Sequence, residues 1–117
     1  MPDWDNPADT EVRFDHETLV FGNVMEGDMV EAVFEFTNVG QQLLEIEIVS
    51  ACDCMEMEWT QEEIPNGQRG FVAIVLNTAA MSGKISKDID IVFKNTDADG
   101  YPLVKRVYLV GAVEPRH

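Results

Sequence analysis

The stretch Met29-Val30-Glu31-Ala32-Val33-Phe34-Glu35-Phe36-Thr37 alternates with a period of two. Val30, Ala32, Phe34 and Phe36 fall on one face and Glu31, Glu35 and Thr37 on the other, because successive side chains of an extended chain point to opposite sides. A strand with one apolar and one polar face belongs to a sheet that is wet on one side, which argues for antiparallel pairing. Asn38-Val39-Gly40 closes the strand with turn residues.

The same period extends outward in both directions. Upstream, Val12 and Phe14 and then Leu19 and Phe21 keep it until Gly22, and Met25-Glu26-Gly27-Asp28 is a turn by composition. Residues 1–10 are acidic, carry two prolines and Trp4, and read as a flexible arm ahead of a domain spanning 11–117. Downstream, Leu44, Ile46 and Ile48 alternate with Glu45 and Glu47. The segment Ser50-Ala51-Cys52-Asp53-Cys54-Met55-Glu56-Met57-Glu58-Trp59 follows, and then a loop with Pro65 and the turn pair Asn66-Gly67. A short helix has room only around Thr60 to Glu63. Phe71 to Leu76 is a continuous apolar run, short enough for a strand buried on both faces. Ile85 to Phe93 and Leu103 to Val113 supply two more strands around a polar turn at Asn95 to Gly100.

About seven strands separated by turn signals, with no sustained helical period, predict a single all-β domain, a seven-stranded antiparallel immunoglobulin-like sandwich. Its core is expected to hold Phe14, Phe21, Val30, Phe34, Phe36, Leu44, Ile46, Val72, Ile74, Leu76, Ile89, Ile91, Val107 and Leu109. At 117 residues the chain can bury such a core without disulfides or a metal as staples. No apolar run approaches the roughly 20 residues of a membrane span, and the start shows no basic and apolar pattern of a signal peptide.

The motifs Phe21-Gly22-x-Val24-x-x-Gly27, Val30-x-x-x-Phe34-x-Phe36-x-Asn38-x-Gly40 and Leu44-x-Ile46-x-x-Val49-x-x-Cys52-x-Cys54 come in a distinctive order. Ile64-Pro65-x-Gly67, Thr78, Gly83, Lys87 and Leu109-x-Gly111-x-Val113 continue it. From Phe14 to Val113 the chain resembles a bacterial immunoglobulin-like domain family of unknown function, related in fold to the ASH (Hydin-like) and major-sperm-protein domains. The resemblance implies a seven-stranded sandwich, an exported or periplasmic mature form, and no established enzymatic activity. Members commonly carry a Cys-Gly-Cys-Thr turn; here Asp53 stands for the glycine and Met55 for the threonine.

The charge excludes some functions. With 22 acidic against 8 basic residues and a net charge of −14, the surface repels nucleic-acid phosphates and anionic lipid headgroups. Because the acids are spread along the whole chain, solubility, including in a saline habitat, is the simplest reading, and a basic partner the sharper one.

Three readings stand for Cys52 and Cys54: structural packing or an idle disulfide, thiol/disulfide redox chemistry, and Cu(I) binding. Cu(I) suits soft sulfur donors, so Met55 and Met57 join the two cysteines as candidate ligands, provided the chain turns near Cys54. No other cofactor is implied. Zinc would need four ligands, and the only histidines are His16 and His117. Asn95-Thr96-Asp97-Ala98-Asp99-Gly100 resembles the opening of a calcium loop, but Arg106 stands where the bidentate glutamate falls, so it reads as a hairpin turn. Catalysis lacks a base beside the cysteines and any G-x-S-x-G or phosphate loop. The expectation is a non-enzymatic binding module with another protein as partner, resting on analogy of fold.

Overall fold

The computed structural model describes residues 11–96 and 99–115. Eight strands are described: β1 (Val12–Phe14), β2 (Thr18–Met25), β3 (Met29–Asn38), β4 (Ile46–Ser50), β5 (Met55–Trp59), β6 (Arg69–Asn77), β7 (Gly83–Thr96) and β8 (Pro102–Glu114). They form two four-stranded sheets, ordered β1-β3-β6-β5 and β2-β8-β7-β4. All pairs are antiparallel except β2 with β8, which run parallel. The expected arm (residues 1–10) and the middle of the Asn95–Gly100 turn lie outside the described residues. Thr60–Glu63 holds no helix.

The strand count is eight rather than seven because the first expected strand serves both sheets. Phe14 ends β1 and packs on Phe36 of the first sheet, ring centroids 5.1 Å apart. The chain then crosses at Asp15-His16-Glu17, and Leu19 and Phe21 turn their apolar face to the core from the second sheet. Gly22 does not end this strand. It sits at φ 82°, absorbs a bulge between Val20 and Gly22, and lets β2 continue to Met25.

Of the expected core, Phe14 and Phe21 are half-buried and packed against it, and the other twelve are buried. Val49, Met55, Ile64, Phe93 and Val113 join them. Phe36 links the layers, meeting Phe93 of the second sheet edge to face with centroids 6.0 Å apart. Gly70 lies under that ring: a Cβ there would stand 2.5 Å from the Phe36 ring and 2.7 Å from Ile64 Cδ1, so β6 passes only because the residue has no side chain.

Two buried polar residues tie loops to strand ends. Asn38 is fully buried; its Nδ2 donates to Gln42 O and Ile64 O at 2.7 Å each, and its Oδ1 accepts from Gly40 N–H at 2.9 Å. Thr78 Oγ1 accepts from Gly27 N–H at 3.0 Å and donates to Asp28 O at 2.7 Å, tying the β2–β3 turn to the end of β6. Each adds side-chain bonds to backbone groups at a turn, two of which, Ile64 O and Asp28 O, also accept from Leu44 N–H and Thr78 N–H.

Candidate functional site

The Cys-x-Cys segment crosses between the sheets, because β4 is an edge strand of one and β5 of the other. A turn at Asp53-Cys54 makes the crossing, with Met55 N–H donating to Cys52 O at 3.3 Å and Asn77 N–H to Cys54 O at 2.9 Å. Cys52 and Cys54 are joined as a disulfide, half-buried, with Cα atoms 5.2 Å apart. While they are joined, neither is a thiolate nucleophile or a thiolate ligand. Met55 is buried in the core, and Met57 and Trp59 follow it on the same face of β5, half-buried. The turn that a convergence of sulfurs requires is therefore present, and Cys52, Cys54 and Met57 all pack against the cluster that contains Met55. Among the described residues no three His, Cys, Asp or Glu side chains group to hold a metal.

A second surface was not anticipated. The run Phe71 to Leu76 is not buried on both faces: Val72, Ile74 and Leu76 enter the core, while Phe71, Ala73 and Val75 face outward on an uncovered sheet. Cross-strand register places Val33 and Glu58 on either side of Ala73, and Glu31 and Glu56 on either side of Val75. Exposure is 49% for Val33, 40% for Phe71 and 55% for Met29, so this face is an apolar strip open to solvent and not sparse surface carbon.

The charges on this face divide in two. Toward one end Arg69 bonds Asp15 Oδ2 at 2.6 Å, Glu35 Oε1 at 2.7 Å and Thr37 Oγ1 at 3.0 Å. The Arg69 hydrogen bond holds the Asp15 carboxyl below its usual range. Around Ala73 and Val75, by contrast, Glu31, Glu56 and Glu58 have no ion-pair partner among the described residues. The signal that could have revealed the strip was the odd parity of Val33, Phe71, Ala73 and Val75, which an apolar core also explains until the second layer is known to lie on one side only.

The outer face of the other sheet also exposes apolar residues, among them Val20, Ile48, Val104 and Tyr108. Ile48, Val92 and Val104 align across it, and the next row holds Arg106 bonded to Asp90 at 2.7 Å. A shallow groove of about 470 Å³ beside Val20, Gly22, Ser86 and Val110 completes it. No helix among the described residues is long and apolar enough to cross a membrane.

The model of a family described as a protein of unknown function, DUF1573, matches residues 12–108. No curated protein matches the sequence. Among solved structures, ASH/PapD-like domain 7 of human CEP192 is similar over 93% of this chain and 89% of its own, with a TM-score of 0.69 and 13% identity. A protein of unknown function from Porphyromonas gingivalis is similar with a TM-score of 0.69 and 17% identity; the chain spans 88% of itself there but only 46% of that protein. The VesB protease of Vibrio cholerae is similar over 91% of this chain and 32% of its own, with a TM-score of 0.62 and 12% identity. At these identities the likeness is one of fold.

Proposed function

The chain belongs to the DUF1573 family, whose description names no activity, and on that premise we propose that it is a non-enzymatic interaction module that recognises another protein. The observation that carries this reading is the outer face of the β1-β3-β6-β5 sheet, where Met29, Val33 and Phe71 stand exposed near Glu31, Glu56 and Glu58, which have no ion-pair partner among the described residues. A soluble domain that leaves a central strand apolar on its open side gains by covering it. Strand edges and sheet faces of sandwiches are also where such folds meet partners.

The test is capture. Immobilised wild type, a Val33→Ser/Phe71→Ser variant and an Ile48→Ser/Val104→Ser variant are exposed to the same source-cell lysate. A partner held by the wild type and the Ile48/Val104 variant but lost from the Val33/Phe71 variant supports this face. Identical retention by all three removes it from consideration.

A second reading follows from the turn at Asp53-Cys54, which lets Cys52, Cys54 and Met57 share the side of the chain on which Met55 packs. After two-electron reduction of the disulfide by an external thiol, the two thiolates are soft donors for Cu(I), with Met57 the more available thioether. A Cu(I) titration against a competing chelator, run anaerobically on the reduced protein, is expected to give one equivalent bound, lost in Cys52→Ser/Cys54→Ser. That variant is expected to keep the fold, because the disulfide spans two positions and closes almost no chain. Absence of binding by the reduced wild type ends the copper reading.

A further inference from the structure

We propose that the partner of this face is a cationic amphipathic α-helix lying along β6, its apolar stripe on Phe71, Ala73 and Val75 and its lysines or arginines reaching carboxylates on both sides. The inference rests on the interaction-module reading above and adds the shape and charge of the occupant.

The dimensions come from the sheet. β3 and β5 flank β6, so the row carrying Glu31 and the row carrying Glu56 and Glu58 stand two strand spacings apart, about 9.6 Å. An α-helix with its side chains is roughly 10–12 Å across. A helix centred on β6 therefore brings its flanks above both rows of carboxylates at once. From Phe71 to Val75 the strip is about 13 Å long, which nine helical residues match at about 1.5 Å each. Leucine-like residues at i, i+3 or i+4 and i+7 then meet the strip.

The charges select the same occupant. Glu35 on the β3 side is already bonded to Arg69, which it shares with Asp15, so its carboxylate is engaged within the chain. Glu31, Glu56 and Glu58 are the carboxylates left for a partner, and they surround the apolar centre at Ala73 and Val75. An extended segment added to the free edge of β5 would reach Glu56 and Glu58 but would lie three strand spacings away from Glu31. Involvement of Glu31 thus separates a helix on the face from a strand on the edge.

The probe is a blocked 18-residue helical peptide with a leucine stripe flanked on both sides by lysines, titrated into the labelled full chain at low salt. Amide resonances and binding heat are followed together. The expected result is saturable binding that shifts Phe71 to Val75. Glu31→Gln alone should weaken it about threefold, and Glu56→Gln with Glu58→Gln by on the order of tenfold. A control that removes as many charges away from the face as the two variants together, Glu17→Gln/Glu47→Gln/Glu114→Gln, should bind like the wild type.

Loss only from the Glu56/Glu58 variant, with Glu31→Gln unaffected, overturns the helix in favour of an edge-added strand and leaves the interaction module standing. Equal weakening by the control triple variant reduces the binding to net-charge attraction and overturns the proposal. Absence of peptide binding, with capture in the lysate experiment still lost from the Val33/Phe71 variant, overturns the helix alone. Absence of both overturns the helix and the module together.

Discussion

Phe36→Ala is expected to lower the free energy of unfolding by about 4 kcal/mol. Phe36 is fully buried and stands between the layers, tilted against Phe14 in its own sheet and edge-on to Phe93 in the other. Truncation removes the transfer free energy of a ring and leaves a void that β6 cannot fill, because Gly70 beneath it has no side chain to move in. A domain of this size has roughly 5–15 kcal/mol in hand, so the variant should show a much lower urea midpoint with an unchanged slope. A shift equivalent to less than about 1.5 kcal/mol would mean that the layers close without the ring and that this account of the core is wrong.

Asn38→Ala comes next, with an expected loss of about 3 kcal/mol. Its cost is of another kind. No large volume disappears, but Ile64 O and Gly40 N–H each lose a buried bond and Gln42 O a half-buried one. Such groups keep their desolvation cost when the bond is gone. Asn38→Asp is nearly isosteric and distinguishes hydrogen bonding from packing. A carboxylate donates nothing, and it would face two carbonyl oxygens, so at pH 7 this variant should be at least as unstable as the alanine one. If Asn38→Asp retained most of the wild-type stability in urea unfolding, shape and not donation would be what the site requires.

The two substitutions also mark what could be read in the sequence. Phe36 was legible because it belongs to a nine-residue stretch whose even positions are all apolar, and that period puts it inward with Val30 and Phe34. Asn38 was legible only as a turn residue. Its partners at Gln42 and Ile64 come from loops whose meeting depends on the bridge between Leu44 and Ile64, which no local pattern encodes. The split of the first strand was hidden for a related reason. Val12, Phe14, Leu19 and Phe21 all face the core, and parity does not reveal that the first two reach it from one sheet and the last two from the other.

The face along β6 was misread through an ambiguity in the signal itself. Six consecutive apolar residues mean either a strand covered on both sides or a strand in a two-layer fold with one bare side. Once the fold is known to have two layers, the second meaning follows, and Phe71, Ala73 and Val75 become surface. In the cysteine segment the chain does turn near Cys54. The pairing of the two sulfurs remained one of three alternatives at the level of sequence because spacing of two allows a bond, a ligand pair or plain packing alike.

The parallel pairing of β2 with β8 has a consequence in time. Thr18 finds its neighbour in Tyr108 and Met25 in Glu114, so the first strand of that sheet is among the earliest parts of the domain to be synthesised and its partner is the last. Until β8 is available, Leu19, Phe21 and Val24 have an apolar side but no backbone ladder to hold it in place. The β3 and β6 pair, whose partners are much closer along the chain, can zip first. During synthesis one leaf is therefore expected to be able to form while the other waits, and a molecule stalled there would offer an unpaired strand to whatever meets it.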